Sequence, residues 1–249
     1  VKEFLMAAAL ALAAAATGAS ADEAKIRRAV EGALGGARVE SVRPAPLPGL
    51  FEVHFNSRGS PHIVYTDAEA NYILQGDLYD TRSRENLTEE RLNKLSAIRF
   101  DVLPLEAAVK VRRGDGRRVL AMFSDPHCPA CRQFEQVLAQ IDDITIYYFM
   151  YPVIRPELAD HSRAVWCSPD RARAWLALAA RARPQVPEAG TDCGAPIERV
   201  LELGRSLGVN STPTLFFTTG ERVRGGLHAE QLRARLDEAA RVAPAKRAR

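Results

Sequence analysis

The sequence predicts two mixed α/β bodies joined by a helix: a small α+β unit followed by a larger α/β domain. Three observations lead there. Between residues 38 and 80, β-branched and aromatic runs are punctuated by Pro, Gly and Asp; residues 86–98 carry a capped helical repeat; and from residue 99 strand-like and helix-like periods alternate. With 249 residues, 47% of them apolar, the chain is long enough to bury real cores. Its formal charge of +3 is small beside 34 basic and 31 acidic residues, so composition argues for neither a nucleic-acid surface nor a membrane-binding face.

Residues 1–21 read as a secretory signal peptide. Lys2 leads an apolar run from Phe4 to Ala16, and the small residues Ala19-Ser20-Ala21 place the cut before Asp22. Roughly 13 apolar residues fall short of the ~20 that span a bilayer. Residues 22–85 form the α+β unit. It opens with a helix whose Ile26, Val30, Ala33 and Leu34 share one face and which stops at Gly35-Gly36. The runs "RVESVRPAPLPGLFEVHF", "PHIVYTD" and "NYILQGDLYD" supply its antiparallel strands. A unit of about 65 residues has a marginal core and gains most from pairing with a second copy. Gly76 marks either the approach of another backbone or a bulge in its own sheet. Residues 86–98 form a linker helix with Asn86 as N-cap and Leu92, Leu95 and Ile98 along one side.

In the domain from 99 to 249, "RRVLAMFSD" is a strand, "CRQFEQVLAQI" a helix with Phe134, Val137, Leu138 and Ile141 inward, and "ITIYYFMYPV" a second strand. A helical stretch from about Pro156 to Arg183 restarts at Ser168 as N-cap and Pro169 as N1. The helix in "GAPIERVLELGRSLGV", a hairpin turning at Gly220 and a closing helix with Leu232 and Leu236 complete a thioredoxin-like order.

The chemistry centres on Cys128-Pro129-Ala130-Cys131. Cys128 sits where a strand passes into a helix, and unpaired N–H groups and the helix dipole there favour a negative sulfur. Cys131 follows one turn later, within disulfide reach. Cys128 is therefore the expected nucleophile toward a substrate disulfide and Cys131 the thiol that resolves the mixed disulfide. A zinc site is the first rival, but C-x-x-C is only half of one and no second half follows. A purely structural disulfide is the second, but so small a ring stabilises little. Cys167 and Cys193 enclose a longer loop, for which chain entropy assigns a bridge about 3.5 kcal/mol, and are the expected structural disulfide. Thr212-Pro213, at the head of an apolar strand, is a candidate cis peptide whose backbone edge could pair with an extended substrate beside Cys128. His127 has two readings, an imidazolium that stabilises the Cys128 thiolate or a solvent-exposed residue at a strand end. Asp125 reads as a turn former.

With "RPAPLPGLFEV", "YILQGDLYD", "FSDPHCPAC", "AVWCSPDRARAW" and "GVNSTPTL" in order, the chain resembles the DsbC/DsbG family of periplasmic thiol:disulfide isomerases. The resemblance implies an N-terminal cystatin-like dimerisation domain, a linker helix and a thioredoxin-like catalytic domain with a helical insertion. These would assemble as a V-shaped homodimer with the surroundings of Gly76 at the contact. It assigns the attacking thiol to Cys128, the resolving thiol to Cys131, the substrate-docking cis-proline element to Thr212-Pro213 and the structural disulfide to Cys167–Cys193. It implies no cofactor and no metal, misoxidised exported proteins as substrates, a DsbD-type membrane reductant as partner, and a periplasmic location. One departure is Pro129-Ala130, where the DsbC branch has Gly-Tyr. That dipeptide leaves isomerase, sulfenic-acid reductase and oxidase unseparated, with a holdase chaperone as a further alternative. The second cysteine pair and the linker length favour the isomerase.

Overall fold

The structure, a computed structural model, describes residues 23–57, 60–179 and 185–242, so the signal predicted over residues 1–21 lies outside the described residues. It divides into two units between Leu95 and Ser96.

In the first unit, helix α1 (residues 23–33) buries Ile26 and Val30 against the sheet core of Val39, Val53, Phe55 and Val64. Ala33, expected on that face, is exposed at the last residue of the helix; beyond it the Gly36 N–H returns to the Glu31 carbonyl at 2.9 Å, and Gly35 and Gly36 take φ of 64° and 83°. Left-handed backbone of this kind suits glycine and stops the helix. The sheet is antiparallel, in the order β1 (Arg38–Pro44), β2 (Leu50–Ser57), β3 (Ser60–Asp67) and β4 (Ile73–Leu74). A second ribbon pairs β5 (Tyr79–Asp80) with β6 (Glu85–Asn86).

The helix predicted over 86–98 runs from Leu87 to Leu95 as α2. The Asn86 side-chain oxygen accepts the Glu89 N–H at 3.0 Å, which fixes its start. It does not stand free of the first unit. Thr88 Oγ1 lies 2.5 Å from the Tyr65 hydroxyl and accepts the Leu78 N–H at 2.8 Å. Arg91 and Arg43 both reach the buried carboxylate of Glu52, Arg43 with two parallel bonds of 2.8 Å. These polar anchors explain why its leucines are only half-buried.

The second unit is built on a five-stranded sheet in the order β11 (Arg222–Arg224), β10 (Thr214–Phe217), β8 (Arg118–Ser124), β9 (Ile144–Met150) and β7 (Val109–Arg113). Only β8 and β9 run parallel, connected by α3 (Pro129–Leu138). Alternation along β8 sends Leu120 and Met122 to one face, with Phe134 and Leu138 of α3, Trp175 of α5 (Arg171–Ala179) and Leu232 and Leu236 of α7 (Ala229–Val242). It sends Ala121 and Phe123 to the other face, against Phe149, Phe216 and Val200 of α6 (Ile197–Ser206). Strand β7 is an addition to the sequence reading; five residues with two valines between charges give too short a period to stand out.

The helical insertion breaks between α4 (Ala159–Cys167) and α5, but its cap differs from the expectation. The Asp170 side chain accepts the Arg173 N–H at 3.0 Å and is the N-cap of α5, while Ser168 donates back to the Ala164 carbonyl at 2.8 Å and closes α4. Cys167 and Cys193 are joined by a disulfide with their Cα atoms 5.7 Å apart.

Helix α6 approaches β9 where Tyr151 follows it. A Cβ built on Gly204 would lie 2.3 Å from Cε2 of Tyr151, and that ring is pinned by its hydroxyl, which donates to the Val209 carbonyl at 3.1 Å. Gly204→Ala should therefore destabilise the second unit by about 1–3 kcal/mol, as overpacking does, measured as a lower urea midpoint with an unchanged slope.

Candidate active site

Strand β8 ends at Ser124, and the chain turns through Asp125-Pro126-His127 into α3. The turn is set by the Asp125 carboxylate, which is fully buried: Oδ1 accepts the His127 N–H at 2.7 Å, and Oδ2 accepts the N–H groups of Val153 and Ile154, each at 2.7 Å. The Cys128 N–H donates to the Asp125 carbonyl at 3.1 Å. Cys128 occupies the N-cap of α3 with extended backbone (φ −77°, ψ 121°), and Pro129 follows at N1, where its missing N–H costs nothing. The side chain makes no hydrogen bond to the N–H groups of the first helical turn.

Both thiols are free and buried. Cys128 Sγ donates to the Thr212 carbonyl at 3.3 Å, and Thr212-Pro213, a cis peptide, leads into β10. The structure therefore brings Cys128, Cys131, Thr212 and Pro213 to one place although 84 residues separate Cys128 from Thr212. The Cys167–Cys193 bridge belongs to the insertion.

The two thiols differ in environment. Burial pushes the Cys131 thiol up to about 12, with polar groups of Ser124 and Asp125 offsetting this only in part. His127 does not match the imidazolium reading: burial, then the neighbouring His161, then Arg155 and Arg132 hold it below the ordinary histidine value, against Asp125. Nor is it a free surface residue. Its Nε2 lies 3.1 Å from Nδ1 of His161 on α4, and both rings are half-buried.

Beneath the thiols lies a buried carboxyl that the sequence reading missed. Glu135 sits four residues after Cys131 on α3 and is pushed up to about 7 by burial, against the Tyr148 hydroxyl, which donates to its Oε2 at 3.0 Å, and the charge of Arg113. The Trp175 ring packs on Tyr148 with centroids 5.1 Å apart. The available signal was the spacing Cys131-Glu135-Leu138, which puts a carboxylate on the inward stripe. His161 carried no signal, since its partner is 34 residues away.

A family model described as the disulfide bond isomerase protein N-terminal domain matches residues 17–89, and one described as a thioredoxin-like domain matches residues 105–240. The probable thiol:disulfide interchange protein DsbC of Bordetella parapertussis is 42% identical over 199 residues, 80% of this chain and 68% of the relative. The thiol:disulfide interchange protein DsbC of Escherichia coli O157:H7 is 26% identical over 227 residues, 88% of this chain and 89% of the relative. A crystal structure of a disulfide interchange protein from Neisseria gonorrhoeae matches with a TM-score of 0.50 at 35% identity, over 56% of this chain and 96% of that one.

Glu135 gives the fold a pH dependence of definite sign. Near pH 6 the folded chain holds a proton on Glu135 that the unfolded chain releases, so this contribution is complete below the ordinary carboxyl value of 4.5 and is lost as pH rises through about 7. Urea unfolding should show stability falling by up to about 1.4 kcal/mol per pH unit across that window, and Glu135→Gln should flatten the slope.

Proposed function

Because this chain belongs to the DsbC family of thiol:disulfide interchange proteins, we propose that Cys128 is its attacking thiol, Cys131 its resolving thiol and Thr212-Pro213 the element that docks the substrate chain. The activity is thiol–disulfide exchange leading to disulfide isomerisation. The observation that most supports the residue assignment is the Cys128 sulfur at the N-cap of α3, 3.3 Å from the Thr212 carbonyl. An extended substrate pairing along the backbone at Thr212 would bring its disulfide to that sulfur.

The steps follow from the two environments. The Cys128 thiolate attacks one sulfur of a substrate disulfide; a new Sγ–S bond forms as the substrate S–S bond breaks, and the electron pair leaves on the other substrate sulfur. A different substrate thiolate can then attack the mixed disulfide and expel Cys128, a rearrangement with no net oxidation. Alternatively Cys131 attacks Cys128, releasing a reduced substrate and leaving a Cys128–Cys131 disulfide that needs two electrons from a reductant to reset. Burial raises the Cys131 thiol and so disfavours the thiolate that resolution needs, which gives the mixed disulfide time to rearrange. That balance favours isomerisation.

The same reading places the protein in the periplasm, acting on misoxidised exported proteins and kept reduced by a DsbD-type membrane reductant. Among the described residues no helix is long and apolar enough to cross a membrane. It also makes the first unit a dimerisation domain. The two-residue strand β4 stands at a sheet edge, Tyr72, Leu74 and Tyr79 are exposed around it, and Gly76 lies in a bend outside the sheet with no other atom where its Cβ would be. A bulge in its own sheet is therefore not what Gly76 marks, and a second copy would cover these side chains.

Three measurements test the reading. In refolding of a scrambled multi-disulfide protein, Cys128→Ser should abolish isomerisation, while Cys131→Ser should keep attack and accumulate mixed disulfide; iodoacetamide at pH 7 should label Cys128 before Cys131. Residual isomerisation by Cys128→Ser would remove Cys128 from its role. In sedimentation the full chain should run as a dimer, and Leu74→Asp should raise its dissociation constant at least about tenfold, which corresponds to about 1.4 kcal/mol.

A further inference from the structure

His127 precedes Cys128 directly, and its ring is paired with His161 of α4, Nε2 to Nδ1 at 3.1 Å with ring centroids 5.1 Å apart. A hydrogen bond between two imidazoles requires that one nitrogen donate and the other accept, so the pair holds one proton in the bond between its rings. Each ring keeps a second nitrogen, Nδ1 of His127 and Nε2 of His161, outside that bond. The pair therefore forms a chain of four nitrogens that starts on the residue preceding Cys128 in sequence and ends on the half-buried His161 of the insertion.

We propose that His127 and His161 are a proton relay that protonates the substrate sulfur expelled when Cys128 attacks, and that accepts the proton of an incoming substrate thiol in the reverse step. This rests on the assignment of Cys128 as the attacking thiol. Cys128 forms its bond to one substrate sulfur and the other leaves with the electron pair. It takes the proton from His127 Nδ1; His127 Nε2 takes the proton held by His161 Nδ1; His161 Nε2 takes one from water, which is left as hydroxide. Both rings exchange tautomers and neither becomes an imidazolium at the end of the transfer.

The surroundings suit a tautomeric relay better than a stored charge. The groups facing His127 are Asp125 on its own turn, Arg132 on α3, Arg155 and Glu157 on the segment before α4, and His161 itself. Burial and the cationic neighbours oppose a resident positive charge on His127, which lies below the ordinary histidine value. The loop is also held in place for the transfer: the Asp125 carboxylate fixes the His127 N–H at 2.7 Å and, through Val153 and Ile154, the segment that leads to α4. The relay addresses a definite chemical need. An alkyl thiolate that leaves unprotonated is the strongest competitor for the bond it has just lost, and protonating it commits the exchange.

The test compares two small disulfides on the full chain. Dithiobis(nitrobenzoate) expels an aromatic thiolate that is stable without a proton, whereas hydroxyethyl disulfide expels an alkyl thiolate that is not. His161→Gln keeps a side chain that can hydrogen-bond His127 but cannot exchange tautomers. The ratio of the initial rate with hydroxyethyl disulfide to that with dithiobis(nitrobenzoate) should fall at least about tenfold in His161→Gln, a part of the ~10²–10⁴ that positioned proton transfer contributes. His127→Gln should lower the same ratio, which guards against a folding defect in one variant. Equal slowing of both reactions in the two variants would show a merely structural clamp, and an unchanged ratio would likewise overturn the relay. Reaction of Cys128→Ser with the aromatic disulfide would instead overturn the nucleophile assignment, so the two failures are distinguishable.

Discussion

The second unit depends on one buried carboxylate. Asp125 lies at the end of β8 with no exposure, and a charge in that position is tolerable only if its lone pairs are met. Three backbone N–H groups meet them, one from the turn into α3 and two from the chain leaving β9. That fixes the loop carrying His127 and Cys128 relative to the segment leading into the insertion. The parallel register of β8 and β9, which pairs Ser124 with Met150, brings the two loops to the same edge of the sheet and makes this possible. Ligand-facing groups at the carboxyl ends of parallel strands are a general product of such connections.

A second constraint is the unequal treatment of two cysteines three residues apart. Both are buried, but Cys128 at the helix end donates to the Thr212 carbonyl, while burial pushes the Cys131 thiol up to about 12 against partial offsets from Ser124 and Asp125. Glu135 continues the stripe inward and meets Tyr148 from β9. A carboxyl on the core face of the active helix is a stability cost that burial raises with pH, and the Tyr148 hydroxyl offsets part of it.

Much of this was legible in the sequence, for identifiable reasons. Asn86 three residues before Glu89, Pro129 after Cys128 and the alternation of β8 are local signals, and local physics decides them. The two cysteine pairs were separable by spacing. What was not legible depends on distant partners. Ser168-Pro169 carries as good a capping pattern as Asp170, and only the packing of α4 on α5 decides that Ser168 closes the former while Asp170 opens the latter. The helix after Asn86 reads as a linker between the two bodies, yet Thr88 and Arg91 tie it to Tyr65 and Glu52 through polar contacts that no periodicity records. His161 has meaning only beside His127.

The chain carries one pair of cysteines joined and another apart. With the roles proposed above, activity calls for opposite redox states in the two pairs, Cys167–Cys193 closed and Cys128–Cys131 open. Loop length makes that difference possible: opening Cys167–Cys193 frees a loop spanning 26 residues of separation and forfeits its chain-entropy stabilisation, whereas opening a ring of two intervening residues forfeits little.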